Sequence, residues 1–176
     1  MAVFLGESTH TVDAKGRCFV PKRFQEFLDR DESGAMRAVL TRGFERCVFL
    51  FSEAYFREMV QRLATASFQG AKLRKIQRMF FANTHRVNLD SSGRVLIPEK
   101  LKQHAGLERE VVMVGAYERA EIWNKEAWES FEEASAGEFD ELDTVLCGQA
   151  GESDTFGAPG TAAGGDPVAG SGGGGA

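Results

Sequence analysis

Cysteine is scarce in this chain. The three, Cys18, Cys47 and Cys147, are odd in number, far apart and without a Cys-x-x-Cys pair. That argues against a disulfide scaffold or a zinc ribbon and for a reducing compartment. Cys18 and Cys47 fall in apolar stretches, which suits core residues better than nucleophiles. Histidine is equally sparse: His10, His85 and His104 show no His-Glu-x-x-His spacing, so no metal site is expected. A P-loop and a Gly-x-Ser-x-Gly elbow are both missing. The expectation is a non-enzyme with no cofactor and no small-molecule substrate. No run nears the roughly 18 consecutive apolar residues of a membrane span. Met1–Glu7 also lack the basic start and long apolar core of a secretory signal. A cytoplasmic protein without a membrane partner is expected.

Bases are missing altogether from the last 51 residues, which hold 11 Asp and Glu. The net charge of −5 therefore misrepresents the rest of the chain. Residues 1–125 carry all 21 Lys and Arg against 15 acids, and Arg57–Arg94 has eight bases against two acids. Local potential, rather than net charge, steers a polyanion to a surface. The same stretch also reads as an ordinary solvated helix face. From Leu146 onward, 31 residues include 11 Gly. Such a segment buries too little to offset its ordering entropy and is expected to be a flexible, weakly acidic tail. The apolar fraction of 43%, with 14 Phe among 176 residues, supplies a core for one ordinary domain or two small ones ending near residue 140.

What the folded part does have is a repeat. Asp13-Ala14-Lys15-Gly16-Arg17-Cys18-Phe19-Val20-Pro21 aligns with Asp90-Ser91-Ser92-Gly93-Arg94-Val95-Leu96-Ile97-Pro98 at an offset of 77. Val39–Phe49 aligns with Val112–Ile122 at an offset of 73, the difference matching a longer polar loop at Asp29–Gly34. The chain divides accordingly into halves 1–69 and 70–140 followed by the tail 141–176. Each half predicts a strand, a tight Asp-x-x-Gly-Arg turn, a short strand, Pro opening a short helix, two further strands and a longer helix. Gly106 suits a left-handed helix stop. Ser52 caps a helix with a stripe of Tyr55, Phe56, Met59, Val60 and Leu63, and Asn124 caps one with Ala127, Trp128, Phe131 and Ala134. Ala71–Phe81 predicts an additional helix with Leu73, Ile76 and Phe80 on one face and Lys72, Arg74, Lys75 and Arg78 on the other. The fold class is α+β.

Halves of about 70 residues have marginal cores alone. Packed together, with hairpins interleaved about a pseudo-twofold axis, they share one, and the two Gly-Arg turns become a pair. In each turn Asp accepts local N–H groups and Gly supplies the left-handed position. Asp13, Gly16, Asp90 and Gly93 are thus turn-shaping residues. Arg17 and Arg94 offer planar forks for a phosphate or a guanine edge. Lys15 and Arg86 suit phosphate contacts, with Lys22 and Arg23 nearby. A lone Asp-x-x-Gly-Arg reads as a plain ion-paired hairpin; its duplication, flanked by Lys15, Lys22, Arg23 and Arg86, weighs against that reading. Glu45-Arg46 and Glu118-Arg119 recur as Glu–Arg pairs that stabilise a turn or an interface.

These motifs, with the lead-in Phe81-Ala82-Asn83-Thr84-His85-Arg86, resemble those of the MraZ family of bacterial transcriptional regulators over residues 1–140. The resemblance implies tandem SpoVT/AbrB-like halves forming a swapped-hairpin, β-barrel-like core with flanking helices. It also implies ring-like homo-oligomers, nucleoid association and binding to repeated promoter DNA of the division and cell-wall gene cluster, with repression as the expected sign. The family's Asp-x-x-x-Arg motif maps onto Asp13 with Arg17 and onto Asp90 with Arg94. The second copy has Ser92 where the first has Lys15, so the loops need not contact DNA equally. The tail has no counterpart. An oligomeric protein-interaction scaffold or antitoxin-like module is the alternative.

Overall fold

The computed structural model describes residues 3–65 and 70–139. The expected tail 141–176, with Cys147, and the side chain of Leu63 lie outside the described residues. By its internal contacts the chain divides into residues 1–135 and residues 136–176. Of the second unit only 136–139 are described, and they continue the last helix.

The elements run β1 (Glu7–Thr11), β2 (Arg17–Phe19), α1 (Lys22–Gln25), β3 (Asp29–Arg30), β4 (Met36–Arg42), β5 (Val48–Ser52) and α2 (Glu53–Thr65). They continue with α3 (Ala71–Phe81), β6 (His85–Asn88), β7 (Arg94–Leu96), α4 (Glu99–Ala105), β8 (Glu110–Ala116), β9 (Arg119–Asn124) and α5 (Lys125–Phe139). The additional helix has the bounds expected. Ser52 Oγ accepts from the Tyr55 N–H at 3.2 Å and Asn124 Oδ1 from the Ala127 N–H at 3.1 Å, so both predicted N-caps hold their helices. Gly106 ends α4 at φ +58°. Pro21 and Pro98 stand one residue before their helices rather than inside them, because their extended ψ values of 140° and 139° leave only the carbonyl in the first turn. The polar loop at Asp29–Gly34 is itself a hairpin, with β3 paired to β4.

One antiparallel sheet has the order β1-β8-β9-β5-β4-β3, with β6 also on β4. The repeat is written into its registers. Ser8 lies opposite Met113 and His85 opposite Leu40, a reciprocal arrangement in which the first strand of each half pairs with the other half. β5 and β9 meet with Val48 opposite Ile122 and Phe49 opposite Glu121. Separately, β2 and β7 form a two-stranded ribbon with Arg17 opposite Leu96 and Phe19 opposite Arg94. Single bridges tie this ribbon to its neighbours at Val12–Cys18 and Leu89–Val95. Among the described residues the ladders themselves do not close into a barrel.

Side chains alternate across the sheet, as a pleat requires. Ala38, Leu40, Val48, Leu50, Met113 and Ile122 face one core, roofed by the inner side of the ribbon (Cys18, Val95) and by Phe24 and Leu101 from the short helices. Val39, Phe49, Phe51 and Trp123 face a second core against α2, where Phe56 packs. Each such buried side chain stabilises the fold by about 1.5–3 kcal/mol relative to exposure. Burial, then the Asp13 charge, pushes the Cys18 thiol up to about 12, and burial raises Cys47 as well. Both are core thiols rather than nucleophiles.

Candidate nucleic-acid interface

The two Asp-x-x-Gly-Arg turns are built alike. The Gly16 N–H donates to the Asp13 carbonyl at 2.8 Å and the Gly93 N–H to the Asp90 carbonyl at 2.8 Å. The glycines take φ +80° and +76°, where a Cβ is strained. Asp13 Oδ1 accepts from the N–H groups of Lys15 and Arg17, both at 2.9 Å. Asp90 Oδ1 accepts from Ser92 at 3.0 Å and Arg94 at 2.9 Å. One carboxylate oxygen therefore shapes each turn and the other remains for a guanidinium.

The fold brings these turns side by side. Val20 N–H donates to Gly93 O at 2.9 Å and Ile97 N–H to Gly16 O at 3.0 Å, so each half braces the other's turn. Arg17 grips Asp13 Oδ2 through Nε and Nη2, each at 2.8 Å, and reaches Asp90 Oδ2 through Nη1 at 3.3 Å. Arg94 binds Asp90 Oδ2 through Nε at 3.0 Å and approaches Asp13 Oδ2 through Nη1 at 3.7 Å. The result is a four-charge network across the ribbon. Arg17 lies at the base of its turn, along β2, with its side chain 27% exposed; Arg94 is 35% exposed. Cys18 and Val95 point inward, while Leu96, 54% exposed, shares the outer face with the two arginines.

A third turn serves as an internal control. Asp31-Glu32-Ser33-Gly34 is also Asp-x-x-Gly, and Asp31 Oδ1 accepts from Ser33 N–H at 2.9 Å and Ala35 N–H at 3.0 Å, with Gly34 at φ +83°. Ala35 stands where the others have Arg. The turn thus forms without that arginine, although Arg37 from β4 approaches Asp31 Oδ2 at 3.3 Å.

Lys15 is exposed beside Gly16 at the tip of the first turn. Arg86 is not gathered with the turns: it lies on β6, 66% exposed, and pairs with Glu53 at 3.0 Å. Arg23 is committed to the N-terminal segment through Leu5 O at 3.2 Å and Glu7 O at 2.9 Å. Sequence reasoning missed Lys102, whose Nζ would lie 3.1 Å from a Cβ on Gly16. The offset of 77 pairs it with Gln25, which lies against Gly93 in the same way and donates to Val20 O at 2.6 Å. The first turn is consequently flanked by two amines and the second by Ser92 and an amide. Among the described residues, neither Glu45–Arg46 nor Glu118–Arg119 forms an ion pair within the chain. Arg119 pairs with Glu121 at 2.7 Å and stacks over Phe49, while Glu118 accepts from the Tyr55 hydroxyl. Glu45 and Arg46 both have positive φ, and both line a recess beside Trp123 and Phe131.

Hydrogen bonds from the Arg17 N–H and then from its guanidinium hold the Asp13 carboxyl down to about 2; Asp90 is lowered too, first by the Arg94 N–H. A folded value below the unfolded one means stabilisation that is complete above the ordinary carboxylate range and is lost as pH falls through the folded value. Asp13→Asn is expected to melt below the parent at about pH 7, the two curves converging near pH 2. A gap between them that stays constant down to acid would remove this carboxylate from the account.

Comparison with known proteins gives one consistent result. The family model described as "MraZ protein, putative antitoxin-like" matches residues 3–79 and again 80–147. A protein of Heliobacterium modesticaldum named transcriptional regulator MraZ is 35% identical over 140 residues, covering 80% of this chain and 94% of its own. Proteins of the same name from Limosilactobacillus fermentum and Cytophaga hutchinsonii are 37% identical, covering 80% of this chain and 94% of theirs, and 39% identical, covering 81% and 93%.

Proposed function

The chain belongs to the MraZ family, and from that premise we propose that it is a transcriptional regulator that binds double-stranded promoter DNA through the outer face of the β2–β7 ribbon. The observation that carries this reading is the meeting of Arg17 and Arg94, both half-buried, on the outer face of one antiparallel ribbon. A two-stranded ribbon fits a major groove about 12 Å wide, where an arginine fork can take the O6/N7 edge of guanine. In this reading Lys15 positions phosphates at the first turn, and Arg86 exchanges Glu53 for a more distant phosphate. Asp13, Gly16, Asp90 and Gly93 hold the turns in shape. The protein acts without catalysis, metal or cofactor, as a repressor on repeated elements of the division and cell-wall gene cluster, in the cytoplasm and on the nucleoid. Among the described residues, no helix is long and apolar enough to cross a membrane.

The domain reading is two halves, 1–69 and 70–140, exchanging hairpins about a pseudo-twofold axis. The single bridges at Val12–Cys18 and Leu89–Val95 support a barrel-like closure through the ribbon. One ribbon covers little duplex, so several chains assembled as a ring engage several repeats, multiplying weak contacts through effective concentration. The test is a titration against duplex from upstream of the division and cell-wall genes and against scrambled duplex, over a range of salt. Preference for the repeated elements with a steep salt slope is expected. Sequence-blind binding would reduce the ribbon to a generic basic surface. No binding would shift the assignment to the protein-interaction scaffold.

A further inference from the structure

Two helices lack cover, and they are opposites. α3 has no buried residue; only Leu73, Gln77 and Phe80 are half-buried against the body, with Phe80 stacked on Phe56. An isolated helix of 11 residues is marginal in water. Yet α3 exposes Ile76 (54%) and Met79 (53%) beside Lys72 and Lys75 at i, i+3, i+4 and i+7 spacing. α5 also buries nothing fully and rests on the body through Trp128 and Phe131 against Trp123. Its outward ridge is Glu126, Glu129 and Glu133, flanked by Ala127, Ser130, Phe131 and Ala134, again one helical stripe.

The charges are unspent. Among the described residues, none of Lys72, Arg74, Lys75 and Arg78 has an ion-pair partner, and neither has Glu126, Glu129, Glu132 or Glu133. No hydrogen bond or ring contact among those residues joins α3 to α5 of the same chain. Beside the α5 stripe lies a recess of about 400 Å³ whose walls include Ala105, Gly106, Trp123, Ala127 and Phe131. It has room for a side chain such as Met79.

We infer that α3 of one chain docks on α5 of a second copy, its lysine ridge against the glutamate ridge and Ile76 and Met79 against the Ala127–Phe131 stripe and its recess. This inference rests on the proposed self-assembly and names its surface. The two patches are different, so the contact is heterologous: each chain offers one patch to the copy before it and one to the copy after, which yields a ring or a filament. Neither patch includes the ribbon, so assembly leaves the arginine face open.

The test uses full chains carrying Lys72→Glu with Lys75→Glu, or Glu129→Lys with Glu133→Lys, followed by light scattering at low salt. Each reversed chain alone is expected to lose assembly, its apparent dissociation constant rising at least about tenfold. A one-to-one mixture of the two should regain it, because every contact then pairs opposite ridges. Met79→Glu should weaken assembly without rescue by mixing. Assembly that persists at parental strength in both reversed chains would overturn the inference while leaving self-assembly intact. Loss of duplex binding by the α3 reversal with unchanged assembly would instead make α3 a DNA flank and overturn it as well. A parental chain that stays monomeric at all concentrations would remove the self-assembly reading together with the inference.

Discussion

A chain carrying both Arg17→Ala and Arg94→Ala is expected to lose site-specific duplex binding by a hundredfold or more while keeping its fold. One bidentate base contact contributes about 1–3 kcal/mol of discrimination, and two are removed together. The fold should survive because the Asp31 turn forms with Ala35 at the arginine position. At 27% and 35% exposure the ion pairs lost are also partly screened by solvent. Melts and DNA titrations on the same samples separate the two roles. If the double variant melts far below the parent, the network is structural and the site assignment fails. Asp90→Asn sharpens the test, since Oδ1 can still accept from Ser92 and Arg94 while Oδ2 gives up its hold on both arginines. That variant gains one net positive charge and frees a guanidinium. Binding to scrambled duplex should tighten and the salt slope steepen by about one. Unchanged or weaker scrambled binding would show that the carboxylate does not compete with phosphate for the forks.

The turns were legible because they are local. Asp-x-x-Gly encodes an Asx-type turn with a left-handed glycine within four residues, and the helix stripes and caps are read over the same range. The same rule applies at Asp31-Glu32-Ser33-Gly34, where the expected polar loop is a hairpin. The charge network was not legible. Arg17 and Asp90 are 73 residues apart, and nothing in either turn says that the other lies 3.3 Å from its guanidinium. Lys102 escaped for the same reason: its significance comes from Gly16, on the other half. Adjacency in sequence does not give pairing at Glu118-Arg119. Arg119 instead takes Glu121 and Glu118 the Tyr55 hydroxyl, partners that the dipeptide does not announce.

The largest stability loss is expected at a residue outside the two Asp-x-x-Gly-Arg turns. Gly115 on β8 donates to Gly6 O at 2.8 Å, and a Cβ there would lie 2.4 Å from Leu5 N and from the Phe4 carbonyl carbon. Its neighbours are backbone, which cannot swing aside as a side-chain end can. Gly115→Ala must therefore lift the N-terminal segment from β8. That breaks the reciprocal hydrogen bonds of Phe4 with Tyr117, at 2.8 and 3.1 Å. It also withdraws Phe4, 1% exposed, from its edge-on contacts with Phe24 and Phe27. Losing a buried phenyl and its backbone ties costs roughly 3–5 kcal/mol, or on the order of 10 °C in melting temperature at this size. Gly34→Ala is the control: it carries φ +83° but meets nothing within 4 Å, so only the backbone strain of about 1–2 kcal/mol remains. Phe4→Ala should add little to Gly115→Ala, since both changes release the same segment. Fully additive losses would mean that the segment stays docked and that the crowding is relieved elsewhere. Because this segment leads into β1, the strand that the first half pairs with the second, a weakened dock should also loosen the Asp13 turn at the far end of that strand. Duplex binding by Gly115→Ala should accordingly fall at temperatures well below its melt, whereas Gly34→Ala should bind as the parent does.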